Sequence, residues 1–470
     1  MDLVKTTTLT GEALRTRYEQ IQNVYLGDAR PWVLGYSGGK DSTTALQLIW
    51  TALSKLPRES LTKQVYVISS DTLVETPKIV DYIDTSLERM NSAAAAQGLP
   101  FSAHKVRPKL ENTFWVNLIG RGYPAPSKRF RWCTDRMKID PANRFIMDKV
   151  AKYGEVVVIL GVRKSESATR AQVMSLHRIQ GSLLSRHSSL PSAFVYTPID
   201  DFSVDDVWTY LLQVPSPWGN NNRDLVTMYR NAQAGECPLV VDTTTPSCGN
   251  SRFGCWVCTV VTKDKSMEAL VEGGEDWLEP MLDFRDLLAS TQDPSVKSQV
   301  RDYKRRNGQV ALKPDGDVIR GPYKFAVRKQ FLRRLLEVQK QVRSRGPNPR
   351  EILITDEELH EIRRLWRSEL QDWEDSVPTI YREVFGEDLN WLSDEQPIFA
   401  GPEKAILEDI CARQGIPSGL VSKLLEIQRE MHGMTRRSSI HQRIAAAFAE
   451  DWRSEAEVLS VLKEDSELVS

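Results

Sequence analysis

"WVLGYSGGKDSTTALQLIW", residues 32–50, sets an apolar run, a cluster of small residues with a lysine and an acid, and a second apolar run side by side. The stretch "PWVLGYS" suits a short buried strand, and "DSTTALQLIWTAL" puts Ala45, Leu48, Ile49 and Leu53 on one helix face. Between them Ser37, Gly38, Gly39, Lys40, Asp41 and Ser42 form a turn in which backbone N–H groups converge. The helix start adds free donors and the positive end of its dipole. Ser37 and Ser42 add hydroxyls and Lys40 adds a charge, so a phosphate or pyrophosphate is the natural occupant. The common P-loop, G-x-x-x-x-G-K-[ST], is excluded: Leu34 stands where its first glycine belongs, and Asp41 follows the lysine. A purely structural turn is the competing reading, and the strand and helix on either side weigh against it.

The surrounding chain repeats the strand–helix alternation. "KQVYVISSD" reads as a second strand, "TPKIVDYIDTSLERMNSAAAA" as a helix with Pro77 in its first turn, "FSAHKVRP" as a third strand and "EVVVILGVR" (155–163) as a fourth. Residues 10–28 read as an amphipathic helix capped by Thr10, and "FSVDDVWTYLLQ" as a helix capped by Ser203. The expected fold is α/β, a parallel sheet with helices on both faces. Residues 216–262 lack periodicity and hold four of the six cysteines; from about 267 onward the pattern is helical. There Leu359, Ile362, Leu365, Trp366, Leu370 and Trp373 recur at helical spacing, which indicates packing. The expected division is 1–215 for nucleotide binding, 216–265 for the cysteines and 266–470 for a mostly helical C-terminal region, as the length demands more than one core.

The charges, 62 Lys+Arg against 63 Asp+Glu, exert no global pull on a polyanion. Locally, residues 105–144 hold ten Lys/Arg against three Asp/Glu, residues 301–334 eleven against three, and residues 445–470 two against seven. Each run is either a solvated helix face or, for the basic ones, a surface for nucleic acid. No apolar stretch approaches the roughly 20 residues of a membrane span. The N-terminus lacks a signal-peptide core, so a cytoplasmic, reducing location is expected. The cysteines then read as ligands or reactive thiols. Cys237, Cys248, Cys255 and Cys258, spaced C-x10-C-x6-C-x2-C, suit tetrahedral zinc or an iron–sulfur cluster equally well. Cys411 sits on an apolar helical face and reads as core. Cys133 lies among Arg129, Arg131, Arg136 and Lys138, which favour its thiolate. Lys138, Arg163 and Arg170 are candidate clamps for phosphoryl oxygens, with Arg163 just past a strand's carboxyl end.

The S-G-G-x-D-S pattern resembles the PP-loop of the ATP pyrophosphatase superfamily, which cleaves ATP between the α- and β-phosphates. Four further stretches are similar to sulfonucleotide reductases and their relatives: Ser70-Asp71-Thr72, "CTDRMKIDP" (133–141), "GVRKSESATR" (161–170) and "YTPIDDFSVDDVWTYL" (196–211). The chain departs from the reductases in having one cysteine, not a pair, before T-D-x-x-K, and no evident C-terminal catalytic cysteine. Taken together, the loop, the "RWCTDRMK" stretch, the cysteine quartet and the helical C-terminus resemble the DndC proteins of bacterial DNA phosphorothioation systems most closely over residues 30–265.

That resemblance implies an adenine nucleotide α-hydrolase-like fold and an ATP-dependent sulfurtransferase. ATP and Mg²⁺ would be held by Ser37, Gly38, Gly39, Lys40, Asp41, Ser42, Asp71, Gly161, Arg163 and Arg170. Lys40, Asp41, Cys133, Lys138 and Arg163 would carry the chemistry, and Cys237, Cys248, Cys255 and Cys258 a 4Fe–4S cluster in preference to zinc. Cys133 has three open roles: sulfur carrier, nucleophile or cluster ligand. The implied partners are DNA, a cysteine desulfurase and the other subunits of the system, with the C-terminal helices as their docking region and no membrane. The alternatives are an enzyme resembling phosphoadenylyl-sulfate reductase and a tRNA-thiolating PP-loop enzyme.

Overall fold

A computed structural model describes residues 9–166, 172, 176–177, 179–232, 255–314, 316–390, 400–431 and 439–468. The chain divides into two compact units, residues 1–114 with 126–282 and residues 115–125 with 283–470.

The first unit is built on a sheet of β1 (Trp32–Gly35), β2 (Val65–Ser70), β3 (Phe101–Val106), β4 (Val156–Ile159), β5 (Leu184–Arg186) and β6 (Ala193–Tyr196), in the order β3-β2-β1-β4-β6-β5. All neighbours are parallel except β5 and β6. The expected α/β class is therefore the observed one, with an antiparallel edge strand added. The chain moves outward from β1 through β2 to β3, then returns to place β4 on the other side of β1. This reversal creates a switch point at the carboxyl ends of β1 and β4, where open parallel sheets bind ligands.

Strand alternation distributes the core. Trp32, Leu34, Val65, Val67, Val157 and Ile159 face α1 (Gly11–Leu26), α2 (Lys40–Ser54), α3 (Pro77–Gln97) and α5 (Val204–Gln213). Val33, Tyr66, Ile68, Val156 and Val158 face α4 (Asp140–Tyr153). Both faces are covered, which is why these strands read as continuous apolar runs. The caps follow the sequence: Thr10 Oγ1 accepts from the Ala13 N–H at 3.1 Å, and Ser203 forms a reciprocal box with Asp206. Trp50 of α2 is fully buried, stacks on Phe101 at 4.3 Å and donates from Nε1 to Gln97. Trp50→Ala is expected to destabilise this unit by about 3–5 kcal/mol, read as a lower urea midpoint at unchanged slope.

The second unit contains α10 (Phe325–Arg345), α11 (Asp356–Leu370) and α12 (Ser376–Phe385), numbered after α6 (Asn222–Ala232), α7 (Lys265–Glu272), α8 (Glu279–Ser290) and α9 (Pro294–Val300). Segment 115–125 belongs to this core: Trp115 Nε1 donates to the Leu353 carbonyl at 2.6 Å, and Trp366 Nε1 to that of Ile119 at 3.0 Å. Arg328 is buried and donates to the Tyr323 and Gly120 carbonyls; burial lowers its pKa to about 10. The helix of α11 buries Leu359, Ile362, Leu365 and Trp366, as their spacing predicts. Much of the basic run 301–334 is engaged inside this unit: Arg320 with Glu455, Lys329 with Glu374 and Arg333 with Glu383, while Arg301 donates to the Gly321 and Arg320 carbonyls. Four C-terminal helices follow, α13 (Gly401–Gln414), α14 (Ser418–Glu430), α15 (Ile440–Phe448) and α16 (Glu455–Leu468), with Cys411 the buried residue of α13. No helix among the described residues is long and apolar enough to cross a membrane.

Candidate nucleotide and thiol site

The loop after β1 is shaped by its glycines. Tyr36 N–H still bonds the Ile68 carbonyl at 2.8 Å, so the chain leaves the sheet only at Ser37. Gly38 has φ +72°, and a Cβ there would lie 2.5 Å from Ile83 Cδ1. Gly39 caps α2 without a side-chain bond, and the helix start turns the positive end of its dipole toward an anion. The two serines brace the turn: their hydroxyls lie 2.9 Å apart, Ser42 Oγ accepts from the Ser37 N–H and donates to the Gly39 carbonyl, and the Gly39 N–H donates to Ser37 Oγ.

Three charges meet at the helix start. Asp41 accepts from Lys40 Nζ at 2.8 Å and from Arg163 Nε at 2.7 Å, with all three side chains nearly excluded from solvent. Arg163 arrives from the segment after β4. Its Nη1 donates to Ser165 Oγ at 3.0 Å, Ser165 Oγ donates to the Phe202 carbonyl, and the Lys164 N–H donates to the Asp200 carbonyl. The 161–170 and 196–211 stretches thus interlock through their backbones. Gly161 permits this approach, since a Cβ there would lie 2.6 Å from the Asp41 carbonyl oxygen. The switch point therefore carries a carboxylate holding two cations beside a turn of backbone donors. That arrangement can bind and polarise a polyphosphate.

The next strand end carries a second cluster. Asp71, largely buried, accepts from Arg107 Nε at 2.9 Å and from the Leu73 N–H at 3.1 Å, with Lys105 Nζ at 3.4 Å. Leu73 has φ +64°, a left-handed conformation uncommon outside glycine. The turn carries the chain to Val74 and Glu75, which pair with the cysteine segment: the Trp256 N–H donates to the Val74 carbonyl at 2.9 Å, and Glu75 bridges Cys255 in antiparallel fashion. Thr72 Oγ1 lies 3.4 Å from Cys255 Sγ and donates to Glu75 Oε1 at 2.5 Å. The Cys258 N–H bonds the Cys255 carbonyl at 3.2 Å, so both thiols lie on one tight turn. Burial pushes the Glu75 carboxyl and the Cys255 thiol up and the Lys138 ammonium pulls both down; Asp71 further raises Glu75, and Glu75 further raises Cys255. Lys138 sits in a π-helical turn, Asp135–Ile139, directly after the short helix Trp132–Thr134 that carries half-buried Cys133.

The structure brings together Ser37 to Ser42, Gly161 and Arg163 at one strand end, and Asp71, Cys255 and the influence of Lys138 at the adjoining one. Cys237, Cys248 and Arg170 lie outside the described residues. Among the described residues no group of three or more His, Cys, Asp or Glu side chains is placed to hold a metal; Cys255 and Cys258 supply two soft donors of the expected set. Glu75 escaped the sequence reading, and Thr72 entered it only as part of the Ser70-Asp71-Thr72 strand end, not as a neighbour of Cys255. The one available signal was Glu75 as an acid four residues past Asp71, within a strand-to-helix turn.

Two regions of the chain match known protein families. Residues 31–261 match the family model of the phosphoadenosine phosphosulfate reductase domain, and residues 403–449 match that of a small protein found in certain Dnd DNA modification systems. An uncharacterised protein of Methanocaldococcus jannaschii is 27% identical over 198 residues, 42% of this chain. The match spans only 35% of that relative's length. Among solved structures, FMN adenylyltransferase of Candida glabrata, in complex with FAD and inorganic pyrophosphate, shares 12% identity over 43% of this chain and 57% of its own, with a TM-score of 0.27. U34-tRNA thiolase NcsA of Methanococcus maripaludis, with its 4Fe–4S cluster, shares 13% identity over 47% of this chain and 74% of its own, with the same TM-score. The chain is thus similar to a phosphoadenosine phosphosulfate reductase domain over residues 31–261 and to a Dnd-associated small protein over residues 403–449.

Proposed function

We propose that this chain is the ATP-dependent sulfurtransferase component of a DNA phosphorothioation system. The observation that carries the reading is the seating of Cys255 3.4 Å from Thr72, at the end of the strand next to the one bearing the polyphosphate loop. Nucleotide chemistry and sulfur chemistry then share one sheet edge. The Dnd-associated segment supports DNA as the substrate.

In the first step a non-bridging oxygen of the DNA phosphate attacks the α-phosphorus of ATP. The bond to the β-phosphate oxygen breaks and pyrophosphate leaves. The loop after β1 and the positive end of the α2 dipole hold that leaving group, which Mg²⁺ would accompany. Asp41 keeps Lys40 and Arg163 side by side, so two cations meet the charge that grows on the departing oxygens without reorganising at that moment. Asp71 serves the adenosine end. In the second step sulfur delivered as a persulfide by a cysteine desulfurase attacks the DNA phosphorus, the phosphorus–oxygen bond to the adenylyl group breaks and AMP leaves; a thiol reductant then supplies two electrons to cleave the sulfur–sulfur bond and free the phosphorothioate. Lys138, whose ammonium acts on Glu75 and Cys255, would meet that negative charge, and Cys133, with its arginine neighbours in sequence, would carry or guide the sulfur. Cys237, Cys248, Cys255 and Cys258 form the donor set for a 4Fe–4S cluster, which supplies sulfur-binding iron when present. The other subunits would dock on the C-terminal helices.

The test is pyrophosphate release from ATP in the presence of duplex DNA, tRNA or neither. Release stimulated by duplex DNA is expected. Sulfite formation from phosphoadenylyl sulfate and a thiol, without ATP, would replace this reading by the reductase one, and stimulation by tRNA alone would move the substrate to RNA.

A further inference from the structure

We propose that residues 128–130 form a DNA-binding finger that brings the reacting phosphodiester to Cys133. The inference rests on the reading above for the identity of its ligand and adds where that ligand is gripped. Ser127 and Phe130 exchange both backbone hydrogen bonds, each at 3.1 Å, closing a tight hairpin whose tip is Lys128 and Arg129. Both cations are exposed, and Phe130 beside them exposes 45% of its surface.

The finger is anchored at both sides of its base. On one side the buried Pro126 carbonyl accepts from Thr259 Oγ1 at 2.6 Å. Thr259 directly follows Cys258, so this strand of the finger is tied to the cysteine turn. On the other side Trp132 is buried and stacks on Phe114 at 5.3 Å. Cys133 is the next residue.

That combination suits nucleic acid. Two cations contact successive phosphates, where affinity originates. An exposed ring stacks on a base or wedges at a base step. The basic run at 301–334 is largely engaged within its own unit, whereas Lys128 and Arg129 stand in solvent within a few residues of the proposed sulfur site.

The test is fluorescence anisotropy of labelled duplex DNA with the full chain, across a salt series, alongside the pyrophosphate assay. Lys128→Ala/Arg129→Ala is expected to lower the slope of log affinity against log salt by about 1.8, or about 0.9 per lost phosphate contact. Phe130→Ala is expected to weaken binding about 10-fold with the slope unchanged, and Phe130→Trp to restore it. Circular dichroism matching the wild type establishes that the variants are folded. If the wild type binds duplex DNA and the variants bind it with equal affinity and slope, the finger is overturned while the DNA reading stands. If the wild type releases pyrophosphate with tRNA and does not bind duplex DNA, both fall together.

Discussion

Arg163→Ala is expected to reduce pyrophosphate release from ATP by about 10²–10³-fold, the usual cost of removing one preorganised donor from developing charge. The guanidinium is buried on Asp41 at 2.7 Å and tied through Ser165 to the Phe202 backbone, so it cannot be replaced by a mobile neighbour. Breaking a buried ion pair by removing one partner ordinarily costs about 3–5 kcal/mol of stability. Here Asp41 retains Lys40 at 2.8 Å, so the loss of stability should be smaller than that. The two effects separate with Arg163→Lys, which keeps the charge and loses the fork. It should hold the thermal midpoint near the wild type while recovering only part of the rate. An Arg163→Ala enzyme that folds and releases pyrophosphate at the wild-type rate would remove this arginine from the nucleotide site.

Cys255→Ser is the second large effect. It is expected to abolish stoichiometric iron in anaerobically purified protein, with loss of visible absorption, and to bring phosphorothioate in cellular DNA to background. Serine is nearly isosteric but is a hard, rarely ionised donor, so it binds iron far less well than thiolate. The thiol sits on a turn pinned to the Val74 carbonyl and beside Thr72, which makes a fold-wide collapse an improbable source of the loss. DNA-independent binding of ATP provides the control, because the loop at 37–42 follows β1 whereas the cysteine turn pairs with the segment after β2. Zinc in place of iron in the wild type would assign the cysteines a structural role.

Much of the first unit was legible because its signals are local. Strands β1 to β4 and helices α1, α2, α3 and α5 follow from two periodicities, and the caps at Thr10 and Ser203 from single residues with a defined side-chain geometry, whereas α4 was not read. The hairpin of β5 and β6 was not legible: three and four residues are too few for alternation to register, and the pairing is decided by β4 offering a free edge. The basic run at 301–334 read as a uniform charge patch. Its partners Glu374, Glu383 and Glu455 are distant in sequence, so only the packed helices reveal that the charge is neutralised.

By itself the sequence determined the turn between β1 and α2, since left-handed glycine backbone and a helix start are properties of a few adjacent residues. It also determined that strands buried on both sides would form a parallel sheet. Tertiary structure alone decided that Cys255 meets Thr72, 183 residues away, and Glu75, and that segment 115–125 leaves the first unit to join the core of the second. Contacts between remote residues depend on how the elements stack, and no local pattern carries that information.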